Sequence, residues 1–293
     1  MTDTSTSIDV ALRRALGDGV RITRRRALGG SFGAVERLDT THGTFVAKTY
    51  ETDAVDLYRA ELAGLTILRA PGVPLTIPAV IAHEEAPRPF LVMEYVAGGH
   101  RPPGFDENLG HGLAALHRAG APRFGFDADT YCGATRQPNE WHGTWRTFYG
   151  QSRLAFQTAL ALRAGLLTTA DAARADRLVA HLDSWLDEPP DGPALIHGDL
   201  WSGNVCIDGN GAPALIDPAV YYGHREAELG MMTLFGGFGP RVYDAYQEAF
   251  PLEAGWGERM PLYQLYHLLN HLNLFGASYY HQVRAILDRF VAA

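Results

Sequence analysis

The spacing of apolar residues changes character about a third of the way along the chain. Near the start, Ile8, Leu12, Ala15 and Leu16 fall on one helical face, and the pattern predicts a short helix over 8–16 ending near Gly17. Strand-like runs then flank Gly29-Gly30-Ser31-Phe32-Gly33, and Thr41-His42-Gly43 turns the chain into a further β-rich run over 44–49. Val55, Leu57, Tyr58, Leu62, Leu65 and Leu68 repeat at helical spacing, which predicts a helix over 53–68. Pro71, Gly72, Pro74 and Pro78 break the chain before strands over 79–82 and 89–96. Turns this tight join antiparallel strands. Ala97-Gly98-Gly99 reads as a linker, so the expected division is residues 1–96 and residues 97–293.

Beyond the linker the pattern is mainly helical, over 106–119, 139–164, 168–187, 225–249 and 258–292. Residues 121–138 are rich in Gly and Pro and read as irregular. Short apolar runs at 194–196, 205–207 and 214–216 predict strands around Asp199 and Asp217. The expected class is α+β: a small antiparallel β lobe with one key helix, then a larger, mainly helical lobe. No internal repeat is visible.

Composition narrows the function classes. The 293 residues suffice for two domains or one large one, and 46% apolar with 20% charged residues is ordinary for a soluble globular protein. A net charge of −8 argues against non-specific nucleic-acid binding, which needs a basic footprint. Cys132 and Cys206 suggest neither a disulfide framework nor a metal cluster, and Cys206 reads as a small buried hydrophobe. The first residues lack the basic and apolar regions of a secretory signal, and no apolar run is long enough to span a membrane. The expectation is a cytoplasmic monomer.

The chemistry concentrates in His197-Gly198-Asp199-Leu200-Trp201-Ser202-Gly203-Asn204, followed by Asp217-Pro218. The spacing matches the kinase pattern H-R-D-x-x-x-x-N, with Gly198 where protein kinases carry Arg. Asp199 can accept the proton of an attacking hydroxyl. Asn204 and Asp217 can offer oxygen ligands to Mg²⁺ on the phosphates of ATP. Gly29, Gly30 and Ser31 lie between strands rather than before a helix, which argues against a Walker loop or a dinucleotide fingerprint. Their backbone amides can approach phosphate oxygens closely. Lys48 follows Val46-Ala47 on a predicted strand, and Glu61, on the predicted helix, is placed to pair with it and aim the ammonium at phosphates. Glu94-Tyr95-Val96 ends the last strand where a hinge would hold an adenine edge, with Met93 bordering the base.

Four further residues are candidates for the acceptor. Trp201 can stack on a sugar or shape a pocket. His224 and Glu228 follow the second Asp and can touch the acceptor or hold a loop. His267 and His271 stand four apart on a predicted helix, but no third ligand or H-E-x-x-H glutamate accompanies them, so zinc is not expected. His271 is read instead as lining the cleft.

Taken together, these motifs resemble the fructosamine-3-kinase (ketosamine 3-kinase) family, within the aminoglycoside phosphotransferase-like kinases. The likeness runs from Gly29-Gly30-Ser31 through Lys48, Glu61 and His197 to Asn204, then Asp217-Pro218-Ala219, Gly223-His224-Arg225-Glu226 and Leu269-Asn270-His271. Phe124-Gly125-Phe126 and Trp145 with Phe148 also fit. The resemblance implies a protein-kinase-like fold and ATP-dependent phosphorylation of the 3-hydroxyl of ketosamines, the rearranged adducts of sugars with amines or protein lysines. The product falls apart and frees the amine, a deglycation. Asp199 would be the base, Asn204 and Asp217 the Mg²⁺ ligands, Lys48 and Glu61 the phosphate clamp. Ser31 stands where some relatives have Cys, so thiol crosslinking through that loop is not expected. Pro218 after Asp217 speaks against a mobile D-F-G switch. The alternatives are an aminoglycoside- or choline-type phosphotransferase and a nucleotide-binding pseudokinase. The last would predict a missing Lys, Asn or metal Asp, and all are present.

Overall fold

Short β-rich runs joined by tight turns pair with their neighbours. In the computed structural model, which describes residues 4–29 and 33–291, β1 (Ile22–Ala27), β2 (Ala34–Thr40), β3 (Gly43–Thr49), β4 (Val80–Glu84) and β5 (Phe90–Glu94) form one sheet. Its order is β1-β2-β3-β5-β4 and every pair is antiparallel. Helix α1 (Thr4–Leu16) starts earlier than the periodicity suggested. It buries Ile8, Ala11 and Leu12 with Val20, Leu38, Phe45, Ala47, Phe90 and Val92. Helix α2 (Val55–Arg69) follows β3, and the register sets Lys48 of β3 opposite Val35 and Leu91.

The chain next forms α3 (Phe105–Leu116), the hairpin β6 (Thr130–Cys132) and β7 (Thr135–Gln137), and a continuous helical stretch of α4 (Trp145–Phe148), a π-helical segment (Tyr149–Ala155) and α5 (Phe156–Arg163). Helix α6 (Thr169–Ala180) opens on a capping box of Thr168 and Asp171. Four short strands follow: β8 (Ala194–Ile196), β9 (Val205–Ile207), β10 (Pro213–Leu215) and β11 (Tyr221–Gly223). Helices α7 (Arg225–Leu234), α8 (Pro240–Ala249), α9 (Trp256–Phe275) and α10 (Tyr280–Val291) complete the chain.

Several boundaries differ from the periodic reading. The apolar pattern over 225–249 continues through two helices, because Gly236 (φ 71°) and Gly237 (φ 92°) take a left-handed backbone that no helix contains. Gly276 (φ 87°) likewise divides 258–292 into α9 and α10. The helix expected from 139 begins at α4, where Thr144 accepts from the Thr147 amide. The one expected at 168–187 gives way after Ala180 to a single 3₁₀ turn over Leu182–Ser184. The Gly/Pro-rich stretch at 121–138 holds the β6–β7 hairpin, too short for periodicity to reveal. Strand β8 pairs with β11, which the sequence reading omitted, while β9 pairs with β10.

The chain divides into two units, Met1–Phe105 with Val205–Pro218, and Asp106–Asn204 with Ala219–Ala293. This differs from a single break after Val96. The β9–β10 hairpin groups with the first unit because hydrogen bonds hold it there. The Thr76 amide donates to Pro213 O at 2.8 Å, the Leu215 amide to Thr76 O at 2.9 Å and the Gly99 amide to Ile207 O at 3.1 Å. The Thr76 hydroxyl also donates to Asp208 Oδ2 at 2.7 Å. In the second unit Trp145 is wholly buried, with its ring centroid 5.1 Å from Tyr149, 5.6 Å from Phe124 and 5.8 Å from Phe148.

Gly64 lies inside α2, where glycine costs about 1 kcal/mol relative to alanine. It is there because Pro218 occupies its missing side chain: a Cβ would stand 2.9 Å from Pro218 Cγ. Gly64→Ala is therefore expected to lose more from overpacking, about 1–3 kcal/mol, than it gains in helix propensity. Urea denaturation should show a lower midpoint, and a raised midpoint would contradict this packing.

Candidate active site

The first unit assembles a charge cluster from three elements. The Lys48 ammonium on β3 donates to Glu61 Oε1 of α2 at 2.6 Å and to Asp217 Oδ1, two residues beyond β10. The Tyr50 hydroxyl donates to the other Glu61 oxygen, so both carboxylate oxygens are fixed. Burial alone would pull the lysine down, but the Glu61 and Asp217 carboxylates outweigh it and hold Lys48 above the usual lysine range. Asp217 has φ 55°, the single positive φ at a non-glycine residue among those described. This strained backbone is held by its neighbours, with Pro218 packed on Gly64. The Asp217 side chain stays half exposed, leaving carboxylate surface for a cation.

Gly29 has φ 85° with open space around it, and the Leu28 amide donates to Val35 O at 2.8 Å, closing the base of the glycine-rich turn. Gly30 and Ser31 lie outside the described residues, with Phe32. At the end of β5, Met93 is buried. The Glu94 amide donates to Ala79 O at 3.0 Å and the Tyr95 amide to Thr44 O at 3.4 Å. The Glu94 carboxylate accepts from the Ala79 amide, and Arg37 lies over the Tyr95 ring. Val96 follows without regular structure.

The second unit holds the loop from His197 to Asn204. Glu228, near the start of α7 and almost fully buried, accepts from the His197 and Gly198 amides. The Asp199 amide donates to His197 Nδ1 at 3.3 Å, and the Asn204 side-chain amide donates to Asp199 O at 2.8 Å. That bond leaves Asn204 Oδ1 as the side chain's remaining polar atom, one that could ligate a cation. Gly198 has φ 83°, and a Cβ there would lie 2.1 Å from Ala219 O. The Arg of the protein-kinase pattern therefore cannot stand at this position.

The acceptor candidates separate. Trp201 is exposed, with its ring against the Gly203 backbone, so it is not a core tryptophan. His271 is half-buried. Its Nδ1 bonds His267 O at 2.8 Å, and its ring lies 4.7 Å from Phe235 and 5.2 Å from Tyr279. Glu228 and His224, read as touching the acceptor or holding a loop, are buried supports. The Glu228 carboxylate holds the 197–198 amides, and His224 Nδ1 caps α7 by accepting from the Glu226 amide at 3.1 Å.

Sequence reasoning missed three residues. Tyr50 follows Lys48 at the same alternation and could have been found from β3 periodicity. Gly64 carried a signal as a glycine inside a helical pattern. Cys132 was given no role, yet it lies beside Asp199, and burial and that carboxylate push its thiol well above the usual range. Nothing local marked it.

Three comparisons bear on this geometry. The profile described as fructosamine kinase matches residues 4–293. The chain belongs to the fructosamine kinase family. It is 36% identical over 293 residues to a probable ketoamine kinase of Escherichia coli K12, covering 98% of this chain and 99% of that one. It is 35% identical over 283 residues to the chloroplastic protein-ribulosamine 3-kinase of Arabidopsis thaliana, covering 94% and 85%. A Thermobifida fusca crystal structure provisionally named a fructosamine-3-kinase superposes with a TM-score of 0.85 at 35% identity, covering 98% and 99%. Aminoglycoside phosphotransferase APH(4)-Ia, in complex with AMP-PNP and hygromycin B, matches with a TM-score of 0.64 at 17% identity, covering 98% and 97%, and shares the fold. The fold is therefore the aminoglycoside phosphotransferase and protein-kinase type, as the motifs implied. Among the described residues no helix is long and apolar enough to cross a membrane.

Two expected outcomes follow from the second unit. Gly198→Ala should destabilise by at least about 2 kcal/mol, because a left-handed backbone and an overlap with a carbonyl act together. Calorimetry on the variant checks this, and a wild-type melting temperature would count against the loop geometry. Burial holds His224 and His267 neutral in the folded chain, at about 3 against an ordinary 6.5, aided by Arg225 and by His271 respectively. The unfolded chain thus binds more protons below pH 6.5. Stability is complete above that value and falls as pH drops from 6.5 toward 3, by about 1.4 kcal/mol per pH unit for each ring. Melting temperatures measured between pH 7.5 and 5 should fall accordingly; an unchanged profile would place these rings in water.

Proposed function

We propose that this chain transfers the γ-phosphoryl group of ATP to the 3-hydroxyl of a ketosamine, free or on a protein lysine. The observation that carries the reading is the grip of Glu61 and Asp217 on Lys48, in a chain of the fructosamine kinase family. A partly buried cation held by two carboxylates is poised to turn toward phosphate oxygens when a nucleotide arrives.

The roles follow from the groups' chemistry. The Val96 amide donates to the adenine edge, because the Glu94 and Tyr95 amides are already engaged. Gly29, Gly30 and Ser31 cover the phosphates with backbone amides. Lys48, oriented by Glu61 and Tyr50, neutralises developing charge on the phosphate oxygens. Asp199 accepts the proton of the 3-hydroxyl as its oxygen bonds to phosphorus and the bond to the ADP oxygen breaks. The exposed ring of Trp201 offers the sugar a flat apolar face, and His271, through Nε2, a polar partner.

Mg²⁺ suits the donor set. Asn204 Oδ1 and the half-exposed Asp217 carboxylate are hard oxygen ligands, with no sulfur or imidazole among them. When bound, Mg²⁺ supplies charge neutralisation on the phosphates.

Asp199→Asn should lower kcat by roughly 10²–10⁴-fold while ATP affinity stays near wild type. Stopped turnover assays with nucleotide titration separate the two; near-normal turnover would remove Asp199 from the base role. A coupled ADP-release assay with ribulose-lysine and fructose-lysine should show Mg-dependent turnover. Turnover with kanamycin or choline alone would move the assignment to another branch of the fold.

A further inference from the structure

A second set of ligating atoms converges on Asp199 from inside the second unit. The Cys132 sulfur at the end of β6, a ring nitrogen of His267 on α9 and an Asp199 carboxylate oxygen all lie within 4.8 Å of one another. His267 is almost fully buried, and its Nδ1 has no hydrogen-bond partner among the described residues. A buried nitrogen without a partner is costly to keep, and with no hydrogen bond at Nδ1 to fix the tautomer the ring can turn a lone pair to a cation. We propose that Cys132, His267 and Asp199 form a site for a thiophilic divalent cation such as Zn²⁺, whose binding blocks the kinase by engaging its base. Cation binding stands on these three side chains alone; the inhibition rests on the role proposed for Asp199.

The donor set selects the metal. Sulfur, imidazole and carboxylate together suit Zn²⁺ and its analogue Cd²⁺, whereas Mg²⁺ takes oxygen ligands and keeps its waters. The site is therefore distinct in preference from the all-oxygen pair of Asn204 and Asp217. Three protein ligands leave a fourth position for water. Two ligands are held in place beforehand. Asn270 on α9 donates to Cys132 O at 3.2 Å and accepts from Gln157 at 3.2 Å, tying β6 to the helix that carries His267. Asp199 is the more exposed ligand and gives the side from which a cation enters.

Charge balance favours a divalent ion. Binding breaks the Cys132 S–H bond, releases its proton to solvent and forms the metal–sulfur bond. The thiolate and the Asp199 carboxylate then neutralise the two positive charges. The buried Arg153 guanidinium, which bonds Pro138 O and Asn139 Oδ1 rather than a carboxylate, faces no net positive charge.

The test uses the full chain. Cd²⁺ titrated into Mg²⁺-free protein should produce thiolate-to-cadmium ultraviolet absorption that saturates at a single equivalent. The band should persist in Cys206→Ala and vanish in Cys132→Ala. In kinase assays at saturating Mg-ATP, the Zn²⁺ concentration for half-inhibition should rise by roughly 10–100-fold in Cys132→Ala. Raising Mg-ATP should not relieve inhibition of the wild type. Should Cys132→Ala fail to fold, His267→Gln carries the test: its Cd²⁺ band should survive while the affinity falls by roughly the same factor. A band that survives Cys132→Ala, a Cd²⁺ affinity unaltered by His267→Gln, or inhibition relieved by Mg-ATP would overturn the proposal.

Discussion

The loop that carries Asp199 has no ladder of its own, and one buried carboxylate takes the place of a ladder. Glu228 receives the amides of His197 and Gly198, so the chain leaving β8 keeps a fixed direction without a neighbouring strand at that point. A buried acid with both oxygens engaged is worth keeping because removing it would strand two amides. The Ala219 amide donates to His197 O, and the Asn204 side chain to Asp199 O, so the rest of the loop hangs on this anchor. Gly198 completes the constraint, since the carbonyl of Ala219 fills the space a side chain would need.

The same economy governs the first unit. Lys48 is partly buried yet charged because two carboxylates surround it, and Glu61 is held in turn by Tyr50. Asp217 reaches this cluster from a hairpin that lies far along the chain but is stitched to Thr76 and Gly99. Its positive φ is tolerated because β10 before it and Pro218 after it leave little freedom. The pairing of β8 with β11 rather than β9 follows: β9 and β10 make their own two-stranded hairpin, and β11 alone lies alongside β8.

Much of this was legible in the residues. The five strands, the helix bearing Glu61 and the kinase-like spacing of Asp199, Asn204 and Asp217 all come from periodicity and motif. Lys48 and Glu61 were paired from their order, their spacing and the Asp set downstream, and the pair forms. What was not legible depends on contacts remote in sequence. For Glu228 and His224 the residue pattern left acceptor contact and loop support equally open, and burial gave them the supporting part. Cys132 was given no role because no local pattern brings β6 to the loop of Asp199. The long helices were read through glycines because apolar periodicity survives a break that turns the chain without changing which side is buried.

The sequence by itself determined the class of fold, the family and the set of polar side chains available for phosphoryl transfer, because these depend on local spacing and residue chemistry. Tertiary structure alone decided which polar residues are anchors and which can meet a substrate, since burial and partners are set by chain segments from 30 to 169 residues apart.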